Sequence, residues 1–139
     1  MRRAAAILVA GVTLLLPVGT LYAHHSFAAE FDANKPVTLR GKVAKMEWIN
    51  PHAWIHIDVT NPDGSISKWM IEGGAPNALL RRGWSKSSLP AGTEVVVVGF
   101  QAKDGATRAN GLDITFTDGR KLFFGSSSAQ PGAGEAPAN

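Results

Sequence analysis

The sequence predicts a mainly β fold, a small five-stranded barrel with one short helix between the third and fourth strands. Three observations predict it: apolar and polar side chains alternate in residues 37–60, turn sequences separate the strands, and one helical stretch interrupts them. This order of strands and helix is that of the OB barrel, so we expect an OB-like fold. A β-sandwich is the alternative.

The first two predicted strands, residues 37–48 and 52–60, show the clearest alternation. A period of two places successive residues on opposite faces of a strand, so one face of each strand is predicted to be buried. The residues predicted to point inward are Val37, Leu39, Gly41, Val43, Ala53, Ile55, Ile57 and Val59. The opposite face of the second strand carries His52, Trp54, His56 and Asp58.

The rest of the domain is predicted as strands joined by turns, with one helix. The remaining strands are predicted at residues 65–73, 92–102 and 108–125, the last broken by the turn "TDGR". The stretch "APNALLRRGW" (75–84) predicts the short helix, with Asn77 as its N-cap and Gly83 as its stop. Trp84 follows an apolar pair at helical spacing, so we expect it in the core.

The two ends of the chain differ in composition from this domain. The sequence "MRR" followed by the uncharged apolar run 4–16 is typical of a secretory signal peptide, with cleavage after Ala23 and a rival cut after Ala28. The Gly-, Ser-, Ala- and Pro-rich C-terminus predicts a disordered tail. The predicted organisation is a signal peptide (1–23), an N-terminal segment (24–36), the barrel domain (37–125) and the tail (126–139). A periplasmic or secreted protein without a stable membrane span follows from it.

Composition excludes several classes of function. The chain has no cysteine, which excludes disulfides, thiol catalysis and thiolate metal sites. Removing Arg2 and Arg3 with the signal leaves 12 Lys and Arg against 11 Asp and Glu. This small net charge argues against nucleic acid as a partner. No nucleophile elbow, phosphate loop or HExxH motif occurs in the sequence. The sequence therefore indicates no catalytic site, and a non-enzymatic role is favoured.

Four motifs occur together: "AHHSF", "EWINPHAW" (W-x-NPHAW), "APNALLRRGW" and "GFQAKDG". Together they resemble a family of small exported proteins of Gram-negative bacteria that is catalogued as a domain of unknown function. The resemblance runs from about His24 to Gly125. It implies a signal-bearing, periplasmic small β-domain and implies no reaction.

The histidines are the candidate metal ligands, because the chain lacks cysteine. If cleavage follows Ala23, His24 carries a free α-amine that can chelate Cu(II) together with its own ring or that of His25, and His52 can add a third imidazole. His52 and His56 are four residues apart, about 13 Å along a strand. Metal–nitrogen bonds of about 2.0–2.1 Å do not span that distance, so the candidate copper site is His24, His25 and His52. The alternative is that His24 and His25 are exposed to solvent and have no binding function.

A second candidate site is the outer face of the second strand with the preceding loop. Its residues are Asn50, Trp54, His56 and Asp58. OB barrels bind ligands on the face of strands two and three, and aromatic stacking there can hold a sugar, a peptide or a nucleobase. The alternative is that Trp54 belongs to the core.

Three hypotheses for function follow from these sites. The leading one is a non-enzymatic periplasmic binding or accessory domain whose ligand is a small molecule, a metal ion or another exported protein. The second is a copper protein with a redox or metal-delivery role that uses His24, His25 and His52. The third is a structural subunit that binds another exported protein through its tryptophans.

Overall fold

The computed structural model of the protein describes residues 27–126. It contains the helices and strands α1 (Phe27–Glu30), β1 (Phe31–Glu47), β2 (Trp54–Thr60), β3 (Ile66–Glu72), α2 (Pro76–Leu80), β4 (Glu94–Ala102), β5 (Arg108–Phe116) and β6 (Lys121–Phe123). The predicted signal peptide, the histidines His24 and His25, and all of the predicted tail except Ser126 lie outside the described residues. Between residues 27 and 126, no helix has both the length and the apolar character needed to cross a membrane.

Five strands close into a ring of backbone pairings. β1 pairs antiparallel with β2 and with β4, β2 with β3, and β4 with β5. A parallel pairing between β3 and β5 completes the ring, and β6 adds to the outer edge of β5. All five strands thus belong to one closed sheet, with α2 between β3 and β4, which confirms the mainly β, OB-like prediction.

The core lies inside this ring, at the positions that the alternation predicts. Ala53 and Ile55 are 0% exposed, Ile57 is 1% exposed and Val43 is 2% exposed. Val37 and Val59 are only partly buried against the core. The predicted inward face of β1 and β2 is therefore the buried one, and their other face is left for polar side chains.

β1 departs from the prediction at its start, and it contains a bulge. It begins at Phe31, six residues before the predicted start, because Phe31 and Pro36 pair with β4. The bulge, in the pairing of β1 with β2, falls between Val43 and Lys45. A Cβ on Gly41 would lie 2.6 Å from the backbone oxygen of Asp58. Glycine at this position therefore allows β1 to approach β2 closely, which is its role here.

The connection from β3 to β4 places Trp84 under the barrel. The N-cap of α2 is Ala75, not the predicted Asn77, because Pro76 occupies the first helical position, where its missing N–H costs nothing. Gly83 follows the helix with a φ of 89°, in the left-handed region expected of a helix stop. Trp84 is 2% exposed, as predicted, and its Nε1 donates a hydrogen bond to the Phe123 carbonyl at 3.0 Å.

We expect Trp84→Ala to lower the free energy of unfolding by about 3–5 kcal/mol, because it removes a buried ring and leaves a cavity. The ring packs against Phe124 at a centroid distance of 5.2 Å. Leu80→Ala, in the same connection but 53% exposed, should cost no more than about 0.5 kcal/mol. Urea denaturation followed by circular dichroism measures both. Equal losses in the two variants would contradict a core role for Trp84.

Candidate functional site

The outer surfaces of β2, β3 and β5 form one continuous polar face. Trp54 lies opposite Glu72, and His56 lies opposite Met70. Across the parallel pairing, Glu72 lies beside Asn110 and Met70 beside Arg108. Paired residues project on the same side of a sheet, so these side chains form two adjacent rows. We call Trp54, His56, Met70, Glu72, Arg108 and Asn110 the outer polar face.

A buried carboxylate stands at the centre of the outer polar face. Glu72 ends β3 and is only 7% exposed. Its Oε1 pairs with Nδ1 of His52, which comes from the β1–β2 loop and has a side chain 22% exposed. An imidazole that donates from Nδ1 carries no proton on Nε2 in its neutral form. The pair therefore fixes the ring of His52, and in the neutral tautomer Nε2 is the atom that can accept a hydrogen bond or bind a metal.

The surroundings of Glu72 oppose its ionisation. Burial raises the pKa of the Glu72 carboxyl above its ordinary value of 4.5, and the negative charge of Glu30 raises it further. The charges of His52 and Arg108 and the hydrogen bond from His52 act in the opposite direction without cancelling the effect of burial. Ionisation of Glu72 therefore lowers the free energy of unfolding.

The segment before β1 covers one side of the outer polar face. The Phe27 ring packs edge-on against Phe100 of β4 at 5.5 Å and stacks with Phe31 at 5.9 Å. Glu30 Oε2 lies 3.7 Å from a terminal nitrogen of Arg108, and the Glu30 carbonyl accepts a hydrogen bond from the Lys103 backbone at 2.9 Å. These contacts place α1 next to the buried carboxylate, as one wall of the site.

Three polar atoms of the outer polar face are buried and make no hydrogen bond within the described part of the chain. They are His56 Nε2, Arg108 Nε and Asn110 Oδ1. His56 Nε2 lies 3.5 Å from Glu47 Oε2, which is an electrostatic contact but not a well-formed hydrogen bond. Asn110 is 4% exposed as a whole residue. Buried polar groups are nearly always hydrogen-bonded, so three unpaired atoms on one face mark it as unusual.

The structure separates the residues that the sequence grouped together. His52 precedes β2 instead of starting it, and it pairs with Glu72 while His56 faces Glu47. Trp54 is partly exposed on the outer polar face, and Asn50 is exposed in the β1–β2 loop. Asp58 lies further along β2 in a groove of about 940 Å³ that Arg40, Lys42 and Glu94 also line. Among residues 27–126, no three His, Cys, Asp or Glu side chains form a group able to hold a metal ion.

Sequence reasoning missed the residues that complete the face. No motif or periodicity in the sequence marks Glu72, Arg108 or Asn110 as part of a site. The parallel pairing of β3 with β5 joins residues far apart in the chain, and no local pattern encodes it. The one available signal was the acidic residue that ends the apolar run 69–71, directly before Gly73 and Gly74.

A protein-family model matches most of the residues that form this fold. The model of a family of unknown function (DUF6152) matches residues 14–112. The chain belongs to this family. The match contains the histidine pair and every residue of the outer polar face, and it ends short of Gly125, where the sequence resemblance was expected to end. No curated protein and no solved structure matches the chain.

The raised pKa of Glu72 predicts a specific pH dependence of stability. A carboxyl whose pKa is raised on folding binds its proton more tightly in the native state than in the unfolded state. The free energy of unfolding should therefore fall as the pH rises from 4.5 through the native pKa. Glu72→Gln removes this decline, while its side-chain oxygen can still accept the hydrogen bond from His52.

Urea denaturation between pH 4 and pH 8 measures the effect. Glu72→Gln should gain stability relative to the native sequence as the pH rises, and should be the more stable protein at pH 7. Glu94→Gln is the matched control, since the Glu94 side chain is 61% exposed, and its curve should run parallel to that of the native protein. A Glu72→Gln curve that also runs parallel would show that Glu72 ionises without penalty.

Proposed function

We propose that the protein is an exported, periplasmic binding or accessory domain that holds its ligand on the outer polar face, beside His52 and Glu72. The observation that carries this proposal is the buried carboxylate of Glu72 paired with His52. Burying such a pair often contributes less to stability than apolar side chains of similar volume would. A buried pair that lowers the stability of the fold, such as Glu72 with His52, is better explained by a role in ligand binding than by a role in folding.

The position of the pair within the barrel supports the same proposal. OB barrels bind ligands on the face of strands two and three and with the loops between strands one and two and between strands four and five. His52 comes from the first of these loops, Glu72 from β3. The second loop also reaches the face, because the Thr107 carbonyl accepts a hydrogen bond from Met70 of β3 at 3.1 Å.

Export is supported by the sequence of the first 23 residues, and the contacts of the residues that follow bear on the position of the cut. Phe27 packs on Phe100, and the Ala28 carbonyl accepts a hydrogen bond from the Lys103 side chain. A cut after Ala28 would remove both contacts, whereas a cut after Ala23 keeps both. The packing therefore favours the cleavage site that leaves His24 as the N-terminus.

The binding proposal predicts that one ligand class perturbs the outer polar face. NMR amide spectra of the mature protein, recorded with mixtures of sugars, amino acids, short peptides and metal ions, should show shifts at Trp54, Glu72 and Asn110 for one class. His52→Ala should weaken that binding at least tenfold and keep the fold. Asn34→Ala is the control, because Asn34 is exposed in β1 and absent from the face. Shifts confined to the groove at Asp58, or no shifts at all, would refute the proposal.

A copper-binding role is the second candidate, and the orientation of His52 favours it. Histidines that bind metals usually donate their other ring nitrogen to a carboxylate or carbonyl, and Glu72 receives Nδ1 of His52 in this way. His25 precedes Phe27, the first described residue, by two residues, about 7 Å of extended chain. Glu30, which follows shortly after the histidine pair in the sequence, is close enough to Glu72 for its charge to raise the pKa of that carboxyl. The amine and ring nitrogens of His24 and His25 with Nε2 of His52 would form a nitrogen set suited to Cu(II).

The copper candidate predicts a mature chain that begins at His24 and binds Cu(II) at least tenfold more tightly than a His-His-Ser peptide. Mass spectrometry of periplasmic extract gives the N-terminus, and competitive calorimetry gives the affinity. His52→Asn should reduce the affinity to that of the peptide, while His56→Asn should leave it unchanged. A different N-terminus, or equal affinities of protein and peptide, would remove the copper candidate without affecting the binding face.

A further inference from the structure

We infer that the ligand of the outer polar face is a neutral saccharide, and that Arg108 and Asn110 bind it together with His52. The inference rests on the proposed binding function and names the class of ligand. It begins from Arg108 Nε and Asn110 Oδ1, two buried polar atoms of β5 that have no hydrogen-bond partner among residues 27–126. Two positions apart on one strand, they project onto the same face.

The two unpaired atoms can take complementary groups from a ligand. Arg108 Nε can only donate a hydrogen bond and Asn110 Oδ1 can only accept one. A ligand that pairs both must therefore bring an acceptor and a donor together. Hydroxyl groups do both, and a sugar carries several on a rigid ring. A site built to pair buried polar atoms with a ligand also rejects ligands that lack those groups.

The charges of the face favour a neutral ligand. Glu72 pairs with His52, Arg108 lies 3.7 Å from Glu30, and Lys45 pairs with Glu47. A charged ligand would compete for one member of such a pair and leave the other member partly desolvated and unpaired, which costs free energy. The three carboxylates around the face also disfavour nucleotides and other phosphate-bearing ligands. A neutral ligand leaves every pair intact.

The backbone of the face argues against an extended peptide. Peptides that add a strand to a sheet need an unpaired strand edge. Residues 70–72 of β3 are paired with β2 on one side and with β5 on the other. Recognition must therefore come from side chains. Trp54 lies directly opposite Glu72 and offers an indole ring next to planar polar groups, a combination that suits the apolar face and the hydroxyl edge of a sugar ring.

The experiment is calorimetry of the mature protein with five neutral sugars: glucose, galactose, N-acetylglucosamine, maltotriose and tri-N-acetylchitotriose. At least one should bind. Asn110→Leu and Arg108→Lys should each weaken that binding at least tenfold. Arg40→Lys, at an exposed position of β1 outside the face, should change it less than twofold. Asn110→Leu also removes an unpaired buried acceptor, so the ligand-free variant should melt no lower than the native protein.

The outcomes separate this inference from the proposed function. If none of the five sugars binds, or if Asn110→Leu and Arg108→Lys bind a sugar as the native protein does, the inference is overturned. If amino acids or peptides shift Trp54, Glu72 and Asn110 in the NMR spectra while the sugars do not, the inference fails and the binding function stands. If no class of ligand perturbs these residues, both fail. A lower melting temperature with unchanged sugar affinity would assign Asn110 to folding alone.

Discussion

The parallel pairing of β3 with β5 is the contact on which the architecture depends. It joins only three residue pairs, from Met70–Arg108 to Glu72–Asn110, yet without it the strands would form an open sheet with two long edges. A glycine makes the close approach feasible. A Cβ on Gly111 would lie 2.8 Å from the Ile71 side chain and 3.3 Å from the Glu72 backbone oxygen. Closure of the ring therefore goes together with the absence of a side chain at Gly111.

The same pairing creates the chemistry of the outer polar face. Before closure, Glu72 and Asn110 belong to strands that are not neighbours in the chain. Closure sets them side by side, and the segment from Phe27 to Phe31 then covers one side of them. As a result, polar side chains on the outside of the barrel are as little exposed to solvent as residues of the core. Such a group reduces stability unless it is paired, so the fold tolerates a cost at one place that its apolar core offsets.

The sequence predicts the parts of this structure that depend on local periodicity. The alternation around Ile55 and Ile57 placed the core correctly, and the short helix and the burial of Trp84 followed from helical spacing. What depends on long-range pairing was not predictable in the same way. Phe31 belongs to β1 only because Ala102 pairs with it, and Glu72 meets His52 only because a loop and a strand end converge. The candidate site was therefore half predicted: His52, Trp54 and His56 by pattern, Glu72, Arg108 and Asn110 not at all.

The docking of the first described residues on the fourth strand also sets an order of assembly. Phe31 is synthesised 71 residues before its pairing partner Ala102, and Phe27 packs on a ring, that of Phe100, that emerges equally late. Because the chain is synthesised from its N-terminus, Phe27 and Phe31 have no packing partners until nearly the whole domain has been made. We therefore expect the wall of the polar face to be among the last parts to form, and the β2–β3 hairpin, whose contacts are local, to form earlier.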